Sequence, residues 1–134
     1  MLRVTELMIN DWVCINGSNY QVQDLKKKGV VKLYITTEYG IHELEFNTDY
    51  LEEEMQPIPL TKEILERNGF DGEVYLWIDA GDEKTLEYYS FEHRLSLWYE
   101  GGKSQELLFK CQCFSVHELQ HALKLCGIEK EIVL

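Results

Sequence analysis

The stretch DWVCINGSNYQVQ, Asp11 to Gln23, decides the reading of the fold. Side chains in a strand alternate with a period of two, so Trp12 and Cys14 fall on one face and Val13 and Ile15 on the other. Asn16-Gly17-Ser18-Asn19 then supplies a turn signal, asparagine and glycine being the residues that most readily adopt positive φ. Tyr20 to Gln23 resumes the alternation of apolar and polar residues. The pattern predicts a β-hairpin.

Working outward, Lys26-Lys27-Lys28-Gly29 marks a second turn, after which Val31, Leu33 and Ile35 point one way and Lys32 the other. Glu38-Tyr39-Gly40 turns the chain again, and His42, Leu44 and Phe46 alternate with Glu43 and Glu45. Four strands with tight turns predict a small twisted meander or partly open SH3-like barrel over residues 1–51, since such a hairpin series must close or be covered. Residues 52–60 break the pattern. Glu52-Glu53-Glu54 is a charge run, and Pro57 and Pro59, the two prolines of the chain, flank Ile58. Proline donates nothing to a ladder, so this segment reads as an extended connector or an edge strand.

The second lobe, residues 61–134, opens with a short helix. Thr61 suits its N-cap, Leu60 and Leu65 stand at hydrophobic-staple spacing, and Gly69 sits where a C-terminal cap belongs. Four more strands are expected: Glu73 to Asp79, Thr85 to Glu92, Arg94 to Glu100 and Gln105 to Phe114. Ala80-Gly81-Asp82, a tight join near His93, and Gly101-Gly102 separate them. Tyr75, Trp77, Tyr89, Phe91 and Trp98 line a second apolar face, which needs cover from the first lobe or from a partner. A helix from Val116 to Cys126, followed by Gly127, closes an α+β chain.

Composition narrows the function. Thirteen Lys+Arg against 24 Asp+Glu give a net charge of −11, which argues against binding a phosphate backbone or an anionic membrane. The longest apolar run, Val74 to Ile78, is too short to span a bilayer. MLRVTELMIND carries no apolar core of signal-peptide length, so the expected address is cytoplasmic. In that setting four cysteines do not form a disulfide framework.

One motif invites a chemistry. His117-Glu118-Leu119-Gln120-His121 matches H-E-x-x-H, which in zinc peptidases puts two imidazoles on successive turns of a helix with the glutamate as general base. With 4 His in 134 residues, chance produces such a match on the order of one or two times in a hundred. Every residue also has a structural explanation. Ser115 and Glu118 form a capping box, in which the hydroxyl accepts from the Glu118 N–H and the carboxylate reaches back to the Ser115 N–H. Val116, Leu119, Ala122, Leu123 and Cys126 make the apolar face, which leaves His117, His121 and Lys124 on the solvated side. No G-x-x-H extension follows, and a third ligand from His42, His93, Glu129 or Glu131 requires tertiary contact. His117 and His121 are therefore weak metal candidates, and no catalytic residue or cofactor is expected.

A second metal pattern, Cys111, Cys113, His117 and His121, lacks the loop of a zinc finger, and its cysteines align with Leu107 and Phe109 as an inward strand row. Cys14 and Cys126 also lie on apolar faces. Gly101-Gly102 reads as a turn and Asn68-Gly69 as a helix end, so no phosphate-cradling loop is present. The carboxylates at Glu43, Glu45, Asp49, Glu52 to Glu54, Asp79, Asp82, Glu83 and Glu87 read as a solvated surface. The sharper alternative is an acidic face for a basic partner, including imitation of a nucleic-acid backbone.

Three segments carry a family resemblance: ELMINDWV (Glu6 to Val13), PIPLTKEILERNGF (Pro57 to Phe70) and VHELQHALKLCG (Val116 to Gly127). Together they resemble a group of small uncharacterised proteins encoded by gut Bacteroidetes and their phages or mobile elements. The resemblance implies a bacterial cytoplasmic or phage-associated setting and a structural role for the start of the last helix. The group brings no established activity, so no functional residue is carried over. The leading expectation is a non-catalytic, acidic protein-interaction module, with an unidentified protein or a second copy in a homo-oligomer as partner. Direct nucleic-acid and membrane binding are not expected. The rivals are a zinc-dependent hydrolase built on His117, Glu118 and His121, and a nucleic-acid-mimicking inhibitor.

Overall fold

A computed structural model describes residues 2–134. The chain is α+β and divides into two compact units, one ending at Ile58 and the other starting at Pro59.

In the first unit, β1 (Trp12–Ile15), β2 (Ser18–Asp24), β3 (Val30–Thr37), β4 (Gly40–Asn47) and β5 (Met55–Gln56) form one antiparallel sheet of order β4-β3-β2-β1-β5. The sheet is partly open, with β4 and β5 at its edges. Asn16 and Gly17 take φ of 49° and 80°, and Ile15 pairs with Ser18, so the first hairpin has the two-residue turn that its sequence signals. Val13, Ile15, Val22, Val31 and Leu33 are buried in one cluster with Leu2, Leu7, Leu51 and Met55. The buried Asp11 fixes the entry to β1: its Oδ2 accepts the Met8 N–H at 2.8 Å and its carbonyl accepts the Val22 N–H at 2.9 Å.

The acidic and proline-marked segment resolves into several pieces. Glu52 to Glu54 close a helix, α1 (Thr48–Glu54), rather than an extended run. Asn47 caps it by accepting the Asp49 N–H at 2.8 Å, and Leu51 turns into the core. Met55–Gln56 then pairs with β1 as an edge strand, and Pro59 makes an isolated bridge with Ser115.

The second unit holds α2 (Lys62–Arg67), β6 (Asp71–Gly72), β7 (Tyr75–Gly81), β8 (Lys84–Tyr89), β9 (Arg94–Tyr99), β10 (Glu106–Gln112) and α3 (Val116–Leu125). Its sheet is antiparallel throughout, of order β10-β9-β8-β7-β6. Thr61 Oγ1 accepts the Ile64 N–H at 3.3 Å, the cap that its sequence position implies. At the other end the Phe70 N–H reaches the Leu65 carbonyl and the Gly69 N–H that of Glu66, with Gly69 at φ 95°. This is the Schellman arrangement, and α3 repeats it with Gly127 and Ile128 donating to Lys124 and Leu123. Asn68 clamps the C-terminal segment: its Nδ2 donates to the Val133 carbonyl and its Oδ1 accepts the Val133 N–H, each at 2.8 Å. One face of the sheet buries Leu76, Leu86, Tyr88, Leu95 and Leu97.

Gly72 holds the short β6 against β7 at φ 128°, and an added Cβ would run into the Tyr75 carbonyl oxygen. Gly72→Ala should therefore lose about 3 kcal/mol or more in urea unfolding. Gly17→Ala, strained at φ 80° but in open space, should lose about 1 kcal/mol. Equal losses would show that β6 adapts and that the close approach is not required.

Candidate functional site

The H-E-x-x-H residues do sit at a helix start, but in a different arrangement from the one the periodicity implies. His117 is buried, at 6% exposure, together with Gln120, and His121 is half-buried. Helical periodicity locates apolar residues; it does not register a polar side chain that burial can satisfy internally. The Ser115 hydroxyl makes no cap bond to the backbone. Instead it donates to Glu118 Oε1 at 2.8 Å, while the same oxygen accepts the Phe114 N–H at 3.3 Å. The carboxylate thus caps one residue earlier than a capping box does, and its charge sits favourably in the first turn of the helix. His117 Nδ1 lies 3.0 Å from Ser115 Oγ. A serine hydroxyl has one proton, here given to Glu118, so the His117 Nδ1–H must be the donor in that contact. The His117 and His121 rings meet edge to face at 5.6 Å.

Among the described residues no group of three or more His, Cys, Asp and Glu side chains converges as a metal site. The cysteines of the second unit are poor thiolates. Burial first, and then the neighbouring Cys111 and Glu118, push the Cys113 thiol well above its ordinary range. Burial also raises Cys111 and Cys126. Cys113, just past the end of β10, is fully buried, with Sγ 3.7 Å from the Ser115 carbonyl.

The exposed chemistry lies on the outer face of the second sheet. Register places its side chains in three rows: Tyr75, Tyr89, Arg94 and Gln112; Trp77, Glu87, Ser96 and Lys110; Asp79, Thr85, Trp98 and Leu107. Tyr75 and Trp77 are each 50% exposed and Phe91, just beyond β8, is 74% exposed. Tyr75 stacks on Tyr89 at 4.5 Å between centroids, and Tyr89 meets Phe91 edge-on at 5.9 Å. The strip ends at an open cleft of about 370 Å³ lined by Phe91, Glu92, His93, Arg94, Gln112 and Phe114.

His93 is fixed in this cleft from both ends. Its backbone takes φ 51°, and its carbonyl accepts the Cys113 N–H at 2.7 Å. Its Nδ1 lies 3.0 Å from the Tyr88 hydroxyl, which donates to the buried Cys113 carbonyl at 3.0 Å. The tyrosine proton is committed to the carbonyl, so His93 donates through Nδ1–H to the Tyr88 oxygen, which fixes the orientation of the ring. The ring also packs on Phe114 at 4.8 Å. The cleft therefore combines two exposed phenyl rings, an oriented imidazole, and the Arg94 and Gln112 side chains as donors. Sequence reading placed the aromatic face here but missed the cleft, whose lining comes from a hairpin loop and from the far end of β10.

Two measurements check this geometry. His117→Ala should cost about 1–3 kcal/mol in chemical denaturation, because it opens a buried hydrogen-bonded site; unchanged stability would mean that the imidazole is solvated. Burial first, then the Cys113 and Glu118 groups, push the Tyr88 hydroxyl from its ordinary 10.0 up to about 12. The folded state thus holds this proton longer than the unfolded chain, so the contribution is intact below the ordinary value and lost as pH rises toward 12. Tyr88→Phe should show a shallower fall in stability over that window; identical slopes would contradict it. Compared with known proteins, the chain matches no family model, no curated protein and no solved structure.

Proposed function

We propose that the chain is a non-catalytic, acidic protein-interaction module that grips a partner protein through the outer face of its second sheet. The observation that carries this reading is the exposed aromatic strip. Tyr75, Trp77 and Phe91 stay half-exposed or more beside Tyr89, on the face opposite the buried row of Leu76, Tyr88 and Leu95. Exposed aromatic patches of this kind mark binding surfaces, because rigid rings supply contact area at little cost in conformational entropy. The His93, Arg94 and Gln112 side chains in the adjoining cleft supply the few oriented polar groups that a recognition surface also needs. The resemblance to proteins of gut Bacteroidetes and their phages or mobile elements favours a phage or mobile-element setting inside a bacterium. Carboxylates on this face are interspersed with rings, which fits a protein partner better than the two spaced rows of carboxylates that nucleic-acid mimicry requires.

The test presents the immobilised chain and its Tyr75→Ser/Trp77→Ser variant to the same bacterial lysate. A protein retained by the parent chain and lost by the variant, with both chains equally folded by circular dichroism, is the expected result. Identical retention by the two chains would move the binding surface elsewhere.

A further inference from the structure

The protein already holds one guanidinium on this surface, and the way it does so is instructive. Arg94 Cζ stands 5.1 Å from the centroid of the Tyr89 ring, and its Nη1 lies 2.5 Å from Glu92 Oε2. The seat is a ring face for the plane and a carboxylate for the fork.

The same parts recur one row away. Trp77 pairs directly with Asp71 on β6 and with Glu87 on β8, so its indole is flanked on the same face by a carboxylate on either side. Directly opposed side chains in an antiparallel sheet start about 5 Å apart, within reach of a single bound cation. Trp77 is 50% exposed, and Asp71 is exposed as well. Among the described residues no lysine or arginine is ion-paired with Asp71 or Glu87. Lys110, the cation in that row, is two strands beyond Glu87, about 10 Å away.

We propose that Asp71, Trp77 and Glu87 form a cation seat that takes an arginine side chain of the partner protein. This deepens the reading of the outer face as a binding surface and rests on it. Tryptophan offers the strongest ring for a cation, and a planar guanidinium can lie on the indole while its fork reaches a carboxylate at either edge. A lysine ammonium is a point charge and cannot use ring and both carboxylates in that way. Charge favours a foreign partner over a second copy, since the chain carries a net −11. One bound arginine leaves the Asp71–Glu87 pair with one negative charge, so the remaining field of the acidic chain still attracts basic segments toward the Tyr75–Tyr89 strip and the cleft.

The experiment titrates the isotope-labelled full chain with the acetylated, amidated pentapeptides GGRGG, GGKGG and GGQGG, following the indole N–H resonances. The arginine peptide should move the Trp77 resonance at concentrations up to about 10 mM, the lysine peptide should bind more weakly, and the glutamine peptide should leave it in place. Asp71→Asn/Glu87→Gln should weaken the arginine peptide about fivefold or more. Trp77→Leu, followed through backbone amides, should weaken it comparably. These side chains are exposed or partly exposed, so a circular dichroism melt is enough to confirm each fold. No movement, an unchanged affinity in the carboxylate variant, or a lysine peptide that binds as tightly as the arginine peptide would overturn the seat. Lysate retention separates the two ideas. If Tyr75→Ser/Trp77→Ser loses the partner and Asp71→Asn/Glu87→Gln keeps it in full, the binding face stands and the arginine seat falls. If neither variant changes retention, both fall.

Discussion

The second unit depends on a turn of two residues. Asp82 and Glu83 join β7 to β8 with φ of 52° and 60°, a left-handed backbone that costs a non-glycine residue about 1 kcal/mol each. The surroundings offset that strain. Asp79 Oδ1 accepts the Gly81 N–H at 2.8 Å, the Glu83 carbonyl accepts the Glu100 N–H at 2.8 Å, and the Glu83 carboxylate accepts the Tyr99 hydroxyl at 3.2 Å. The turn pairs Gly81 with Lys84, and a bulge at Ala80 then shifts the register by one residue, so that Asp79 faces Thr85, Trp77 faces Glu87 and Leu76 faces Tyr88. A slip of one residue would send Trp77 inward and Leu76 out, exchanging the core with the binding face.

Behind that register, Tyr88 ties the interior to the surface. Its ring belongs to the buried row, yet its hydroxyl joins His93 in the hairpin loop to the carbonyl of Cys113 after β10. The next residues extend the connection. The Phe114 carbonyl accepts the Leu60 N–H, its N–H goes to Glu118, and Ser115 bridges to Pro59. Segments far apart in sequence thereby converge on residues 113–115, and Phe114 is held out as one wall of the cleft. These hydrogen bonds to the interior hold the walls of the cleft in place, which makes it pre-formed for a partner.

The parts of this arrangement that are local in sequence are the parts that sequence reveals. Asn16-Gly17 announces its hairpin, and Thr61 with Gly69 brackets α2, because each acts through its own backbone conformation or on neighbours a few residues away. The helix α1 is hidden by its composition: Asp49 and Glu52 to Glu54 resemble a solvated connector, and its buried anchor is Leu51 alone. The strand β6 is two residues long and exists only because Gly72 can approach β7 closely. The depth of His117 depends on its Ser115 contact and on what surrounds the helix, neither of which a periodic pattern encodes. The aromatic face was legible from the alternation of Tyr75 and Trp77. The carboxylates that flank Trp77 were not, because their neighbourhood is a matter of register between three strands.

Register also explains how such a face stays tolerable in water. Covering the exposed half of a tryptophan, roughly 100 Å², favours association by about 2–3 kcal/mol, enough to drive copies together if nothing opposed it. Each copy that approaches face to face brings Asp71, Asp79 and Glu87 with it. Carboxylates forced to about 5 Å across such a contact repel by about 1–3 kcal/mol per pair, which cancels the gain from the ring. The edge strand β4 follows the same logic, since Glu43 and Glu45 outnumber the Lys32 that pairs with both at 3.7 and 3.8 Å. A basic partner reverses the sign: the same carboxylates then attract, and burial of the ring adds to the attraction. One set of charges thus keeps the copies apart and selects a partner of opposite charge, which ties the unusual acidity of the chain to its exposed aromatic face.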